Sequence, residues 1–160
     1  VLQQYSRSGL FERIFLLDMA KVEEVVGDAP ISEYYERQRQ LITSTYHMLK
    51  VFQNSKPVMG NIMPPEDPNR ISTFGQTEVG QKDDKWLFNL NKSFEKYYLY
   101  AINENILNSD KRLLSKIKEQ VKSRAEEDTK VMFGIYPTQY EQNYVFCLAN
   151  TKFIQCEESD

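Results

Sequence analysis

Apolar side chains recur at helical spacing from Leu10 to about Glu127, with one long interruption, and at strand spacing after Lys130. Between Leu10 and Val26, Phe11, Ile14, Phe15, Val22, Val25 and Val26 share one broad face at 100° per residue, which predicts a first helix. Leu16 and Leu17 point away from that face, so cover on more than one side is expected, and Asp18 falls inside it. Gly27-Asp28-Ala29-Pro30 then stops one helix and starts another. Asp28 is the expected N-cap, and Pro30 sits where its missing N–H would be unpaired in any case. The second helix runs to about Gln53. Ile31, Tyr34, Tyr35, Leu41, Ile42, Leu49 and Phe52 lie within about 60° of one line, with Glu33, Glu36, Gln40, Thr43, His47 and Lys50 opposite.

The interruption spans Lys56 to Lys82 and holds Pro57, Pro64, Pro65 and Pro68 together with Gly60, Gly75 and Gly80. Proline lacks a donor and its ring clashes with the preceding turn, so neither a helix nor a central strand is expected there. Val58, Met59, Ile62, Met63, Ile71 and Phe74 are too apolar for a solvated linker, which predicts an extended arm that docks on the domain's own helices or on a partner.

Asp83-Asp84 opens an expected third helix, acidic at its positive end, with a stripe of Trp86, Leu87, Leu90, Phe94, Tyr97 and Ala101 flanked by Tyr98 and Tyr100. A fourth helix follows the Asn108-Ser109-Asp110 break, carries a narrow seam of Leu113, Leu114, Ile117 and Val121, and ends near Glu127. Residues 130–136, 144–149 and 152–156 read as three strands, the last two joined as a hairpin across Asn150-Thr151. The expected fold is therefore α+β: a four-helix N-terminal portion followed by a small three-stranded antiparallel β-meander. Residues 1–160 form a single domain in this reading, with a helical hairpin over 1–54, the arm over 55–82, two further helices over 83–127 and the meander over 130–157. The missing initiator Met suggests a fragment of a longer protein.

Composition changes this picture little. Charged residues make up 27% and hydrophobic residues 41%, and the net charge of −3 argues against a protein that seeks nucleic acid over its whole surface. No apolar run reaches the ~20 residues of a membrane span. Two cysteines are too few for a disulfide scaffold and fit a reducing compartment, so a soluble intracellular protein, cytoplasmic or nuclear, is expected.

Candidate chemistry is sparse. His47 is the only histidine and faces away from the apolar line of its helix. In the expected hairpin Cys147 faces Ile154 and Cys156 faces Val145, leaving the thiols diagonal at roughly 7–8 Å, outside ordinary disulfide reach. Asp67 with the Asp128-Thr129-Lys130 triplet resembles the acidic set of a metal-dependent nuclease, but this composition is also ordinary for a solvated turn. No glycine-rich phosphate loop, HExxH or GxSxG motif occurs. No catalytic residue, cofactor or metal is expected.

Two surfaces lack a structural reason. The fourth helix concentrates Lys111, Arg112, Lys116, Lys118 and Lys122, a ridge able to meet an anionic surface. The tyrosines, ten in the chain, are enriched where proteins grip one another. The leading expectation is a non-enzymatic protein-interaction or scaffolding module that touches another protein through Ile62, Met63, Ile71, Phe74, Tyr98 and Tyr100. Binding of nucleic acid or another anionic ligand through the basic helix comes second, and the nuclease third.

Overall fold

The computed structural model describes residues 13–63 and 70–151. Its centre is a mixed sheet rather than a helical bundle. In chain order the elements are strand β1 (Arg13–Phe15), helices α1 (Met19–Val26) and α2 (Ile31–Asn54), strands β2 (Met59–Gly60), β3 (Arg70–Thr77), β4 (Lys85–Trp86) and β5 (Glu95–Asn103), helices α3 (Glu104–Ser109) and α4 (Leu113–Ser123), and strands β6 (Lys130–Thr138) and β7 (Tyr144–Asn150). The strand order is β1-β3-β7-β5-β6-β2, with β4 pairing on β3. β1–β3 and β5–β6 are parallel; the other pairs are antiparallel.

β5 explains the architecture. Its residues Glu-Lys-Tyr-Tyr-Leu-Tyr-Ala-Ile-Asn are apolar on both faces because both faces are covered. Tyr97 and Leu99 point to a core shared with Val22 of α1 and with Leu49 and Phe52 of α2. Tyr98, Tyr100 and Ile102 point the other way, to Leu113 and Ile117 of α4. A parallel β5–β6 pair needs a crossover connection, and α3 with α4 supplies it. The expected four-helix portion with a three-stranded antiparallel meander is thus corrected to a layered α/β fold. The scaffold built on a helical bundle falls with it.

Each misplaced element has a local cause. Residues 13–15 form β1 because Arg13, Ile14 and Phe15 pair in register with β3, and Phe15 stacks on Phe74 with ring centres 4.5 Å apart. The helix begins only at Met19, where the Asp18 carboxylate accepts a hydrogen bond from the Ala20 N–H at 2.9 Å. Asp18 is a helix cap, not a member of an apolar helical face. The expected third helix is β4, a loop and β5.

The second helix stands as α2, with Pro30 at its N-cap position and no side-chain cap bond. Its buried line is Gln38, Thr45, Leu49 and Phe52, while Ile31 is 91% exposed and Tyr35 78%. The arm yields β2 and β3, and β3 is interior, flanked by β1 and β7. Its sequence Arg-Ile-Ser-Thr-Phe-Gly-Gln-Thr contains no proline; Pro64, Pro65 and Pro68 lie outside the described residues. The 144–149 strand stands as part of β7, but both its edges are filled, Cys147 pairing with Gly75 and with Tyr98. No edge remains for the expected hairpin, whose second strand and Cys156 lie outside the described residues.

A candidate interaction groove along α4

Three short segments meet at the β6 edge of the sheet. Asn103 caps α3, its side chain accepting from the Asn105 N–H at 2.9 Å. Asp110 separates α3 from α4 and accepts from the Arg112 N–H at 2.9 Å and from Lys116 Nζ at 3.3 Å. The Arg112 hydrogen bond in the first place, with Lys116 adding, holds this carboxyl below its ordinary pKa. The arm completes the edge. Val58 N–H donates to the Ile135 carbonyl at 2.8 Å, Asn61 N–H to the Phe133 carbonyl at 3.0 Å, and Asn61 Oδ1 accepts from Phe133 N–H at 2.9 Å. Ile62 turns inward onto Gly134, and Val58 and Met59 stay outside, 61% and 47% exposed.

Between arm and helices runs an open groove of about 500 Å³, within the range of binding clefts. Its apolar lining is Val58 and Met59 of the arm, Leu107 of α3, Leu113 and Leu114 at the start of α4, and Ile135 and Pro137 of β6. Glu104 and Asp110 also border it, and both are engaged: Glu104 accepts from Gln139 Nε2 at 2.7 Å.

The opposite flank of α4 is locked. Gln120 Nε2 donates to the carbonyls of Glu78 and Gln81, and its Oε1 accepts from Gly80 N–H and the Tyr100 hydroxyl, both at 3.1 Å. Arg124 grips both oxygens of Asp84 at 2.9–3.1 Å, and Asp84 also accepts from the Tyr98 hydroxyl at 2.7 Å. Asp84 opens no helix; it anchors the 78–84 loop to α4.

Of the residues expected to touch a partner, Ile62, Phe74, Tyr98 and Tyr100 are buried and serve the core, Ile71 is half-buried in β3, and only Met63 is exposed, at 58%. The signal that misled is the hydroxyl: these phenols find partners inside. Lys111, Arg112, Lys116, Lys118 and Lys122 are all exposed. Asp128 sits in the α4–β6 turn beside Lys92 at 3.6 Å and Lys130 is exposed, while Asp67, the third member of the nuclease set, lies outside the described residues. Among the described residues no group of three or more His, Cys, Asp or Glu could hold a metal. Sequence reasoning missed Leu107, Leu114, Pro137 and the Asp84–Arg124 pair; the unusual apolarity of Val58 and Met59 was the available clue.

Burial raises the pKa of the Tyr98 and Tyr100 phenols, with the nearby Cys147 adding to each, and of Tyr136 to about 12. The stability gained by keeping these phenols protonated is fully present below the unfolded-chain value of 10.0 and is lost as pH rises through about 12. A late step in tyrosinate absorbance, coincident with loss of the far-ultraviolet circular dichroism, is the expected titration. Ionisation of every tyrosine before any loss of secondary structure contradicts the burial.

No protein-family model matches this sequence, and no curated protein matches it. Solved structures do resemble the fold. An FtsZ dimer from M. jannaschii superposes with a TM-score of 0.62 at 10% identity, over 87% of this chain and 45% of that one. The TubZ-Bt four-stranded filament gives 0.60 at 13% identity, over 92% and 46%. The architecture is thus FtsZ/tubulin-like, and the chain spans under half the length of either protein. No described helix is long and apolar enough to cross a membrane.

Proposed function

We propose that this chain is a non-enzymatic protein-interaction domain, one part of a larger intracellular protein, and that its contact surface is the groove between the arm, α3 and the start of α4. The observation that carries the reading is the groove's lining: Val58, Met59, Leu107, Leu113, Leu114, Ile135 and Pro137 form one open apolar trough of about 500 Å³. Isolated exposed apolar residues are normal on a protein surface, whereas their concentration in a trough marks a contact. The two neighbours of like fold are described as a dimer and as a filament, which supports the use of this architecture in protein contacts. Cys147 is a buried free thiol, in keeping with a reducing compartment.

The test is site-specific photo-crosslinking in the cells that make the protein. A photoreactive residue at Met59 is expected to give one discrete protein adduct, and the same residue at exposed His47 on α2 none. Equal or absent labelling at Met59 rejects the groove. A second reading, an anion binder, is favoured by the exposed lysines of α4. It requires affinity for duplex DNA that falls steeply with salt and needs no apolar contact.

A further inference from the structure

We infer that a second cleft, at the carboxyl end of β3, binds a neutral saccharide, with the Tyr144 and Phe146 rings against the sugar and side-chain amides at its hydroxyls. This cleft shares no lining residue with the apolar groove, and the inference stands independently of that reading.

Strand direction places the cleft. β1 is parallel to β3, β7 is antiparallel to both β3 and β5, and β6 is parallel to β5, so β1, β3, β5 and β6 all run the same way. Their carboxyl ends share one end of the sheet, where open α/β sheets receive ligands. There an open cleft of about 710 Å³ lies between the 78–84 loop and the 139–143 loop, within the range of ligand sites. Both walls are tied to the fold. Thr77 Oγ1 donates to the Asp83 carbonyl at 3.0 Å, and Gln120 Nε2 and Arg124 Nη2 both donate to the Gln81 carbonyl. Asn103 fixes the other loop, its N–H donating to Asn143 Oδ1 at 2.9 Å and its Nδ2 to the Tyr140 carbonyl at 2.7 Å. Walls ordered before the ligand arrives spare the cost of ordering them on binding.

The lining selects the ligand. Tyr144 and Phe146, two apart on β7, point to the same face of the strand, with ring centres 6.4 Å apart and planes tilted by 37°. Tyr144 is 44% exposed, so the pair forms an accessible aromatic shelf. The electron-rich face of such a ring suits the carbon-bound hydrogens along one side of a pyranose. Gln76, Gln81 and Gln142 line the same cleft. Each carboxamide both donates and accepts, as each sugar hydroxyl does. Among the described residues the side chains of these three, and those of Glu78 and Asp83, make no hydrogen bond or ion pair, so their polar atoms are open to a ligand. The two carboxylates against the single ammonium of Lys85 leave the cleft with one negative charge, which disfavours phosphorylated and acidic ligands.

The experiment follows backbone and side-chain amide resonances by NMR as maltotriose, cellotriose or chitotriose is added, with trigalacturonate, spermidine and a proline-rich peptide as controls. At least one neutral trisaccharide is expected to bind saturably and to shift the carboxamide signals of Gln76 and Gln142. Tyr144→Ala should weaken that binding about tenfold, while Tyr144→Phe, which keeps the ring, should leave it unchanged. Gln142→Ala should weaken it about fivefold, the value of one lost hydrogen bond. Both side chains are exposed, so neither substitution removes core packing. Unchanged affinity in both Tyr144→Ala and Gln142→Ala overturns the site. Equal binding of trigalacturonate overturns the preference for a neutral ligand. Saturable binding of spermidine or the peptide alone, or of no probe at all, overturns the inference.

Discussion

Asp84→Asn lowers the stability of the domain by about 3 kcal/mol, the lower end for breaking a buried ion pair. The side chains of Asp84 and Arg124 are 6% and 11% exposed, and their contact is two-pronged, with Arg124 Nε and Nη2 both on the carboxylate. The carboxamide is nearly isosteric, so the loss is charge and not volume. It leaves Arg124 desolvated without a counter-ion, and Tyr98 with a weaker acceptor. For a chain of this size the loss lowers the melting temperature by roughly 10 °C. Thermal unfolding followed by circular dichroism checks it. A shift within about 1 °C means that solvent reaches the pair. The partner comparison is Arg124→Met in the Asp84→Leu background, which removes both charges together. It is expected to be less damaging than Asp84→Asn, because the penalty lies in one stranded charge more than in the absent pair.

The same pair shows where the sequence could and could not be read. Asp83-Asp84 looks like the start of a helix because acidic residues suit a helix N-terminus, and nothing local reveals that the partner is Arg124, forty residues away. Where the periodicity belonged to one amphipathic face, as in α2 and α4, the elements were legible. β5 was not. Tyr97 to Ile102 is apolar throughout because helices cover both sides of the sheet, and a short apolar run of that kind fits a buried strand and a buried helix equally. The rest followed from this one exchange. With β5 read as a helix, β6 and β7 had no strand between them and were paired directly, whereas β5 lies between them, parallel to one and antiparallel to the other. The enrichment of the run in tyrosine and isoleucine favoured a strand. The groove was legible only in pieces: Val58 and Met59 as residues too apolar for a linker, Leu114 as part of a helical seam. That Val58 and Met59 meet Leu114 in one trough depends on the arm returning to the far edge of β6, a tertiary fact.

That return is tested by Gly60→Ala, which we expect to strip the arm from β6 while the rest of the sheet holds. Two separate obstacles meet at this position. The backbone φ of +133° lies where an L side chain is strained. A Cβ there would also stand 2.1 Å from the Phe133 carbonyl oxygen and 2.8 Å from Gly134 Cα. Both are backbone atoms of a strand paired along its other edge, so no rotamer change relieves the contact. The escape is for β2 to leave, giving up the Val58 and Asn61 hydrogen bonds to β6, worth about 0.5–1.5 kcal/mol each. The burial of Ile62, about 1.5–3 kcal/mol more, goes with them. Gly134→Ala is the milder contrast. Its Cβ would meet side-chain atoms, Ile62 Cγ2 at 2.6 Å and the Tyr136 ring at 3.0 Å, which can shift at about 1–3 kcal/mol. Hydrogen exchange separates the outcomes. The amides of Val58, Asn61 and Phe133 should lose protection in Gly60→Ala while those pairing β5 with β7 keep theirs, and the Met59 photo-crosslink should vanish because Val58 and Met59 no longer wall the groove. Unchanged protection at Phe133 means that the arm was not seated on β6, and uniform loss across the sheet means that the arm is part of the cooperative core.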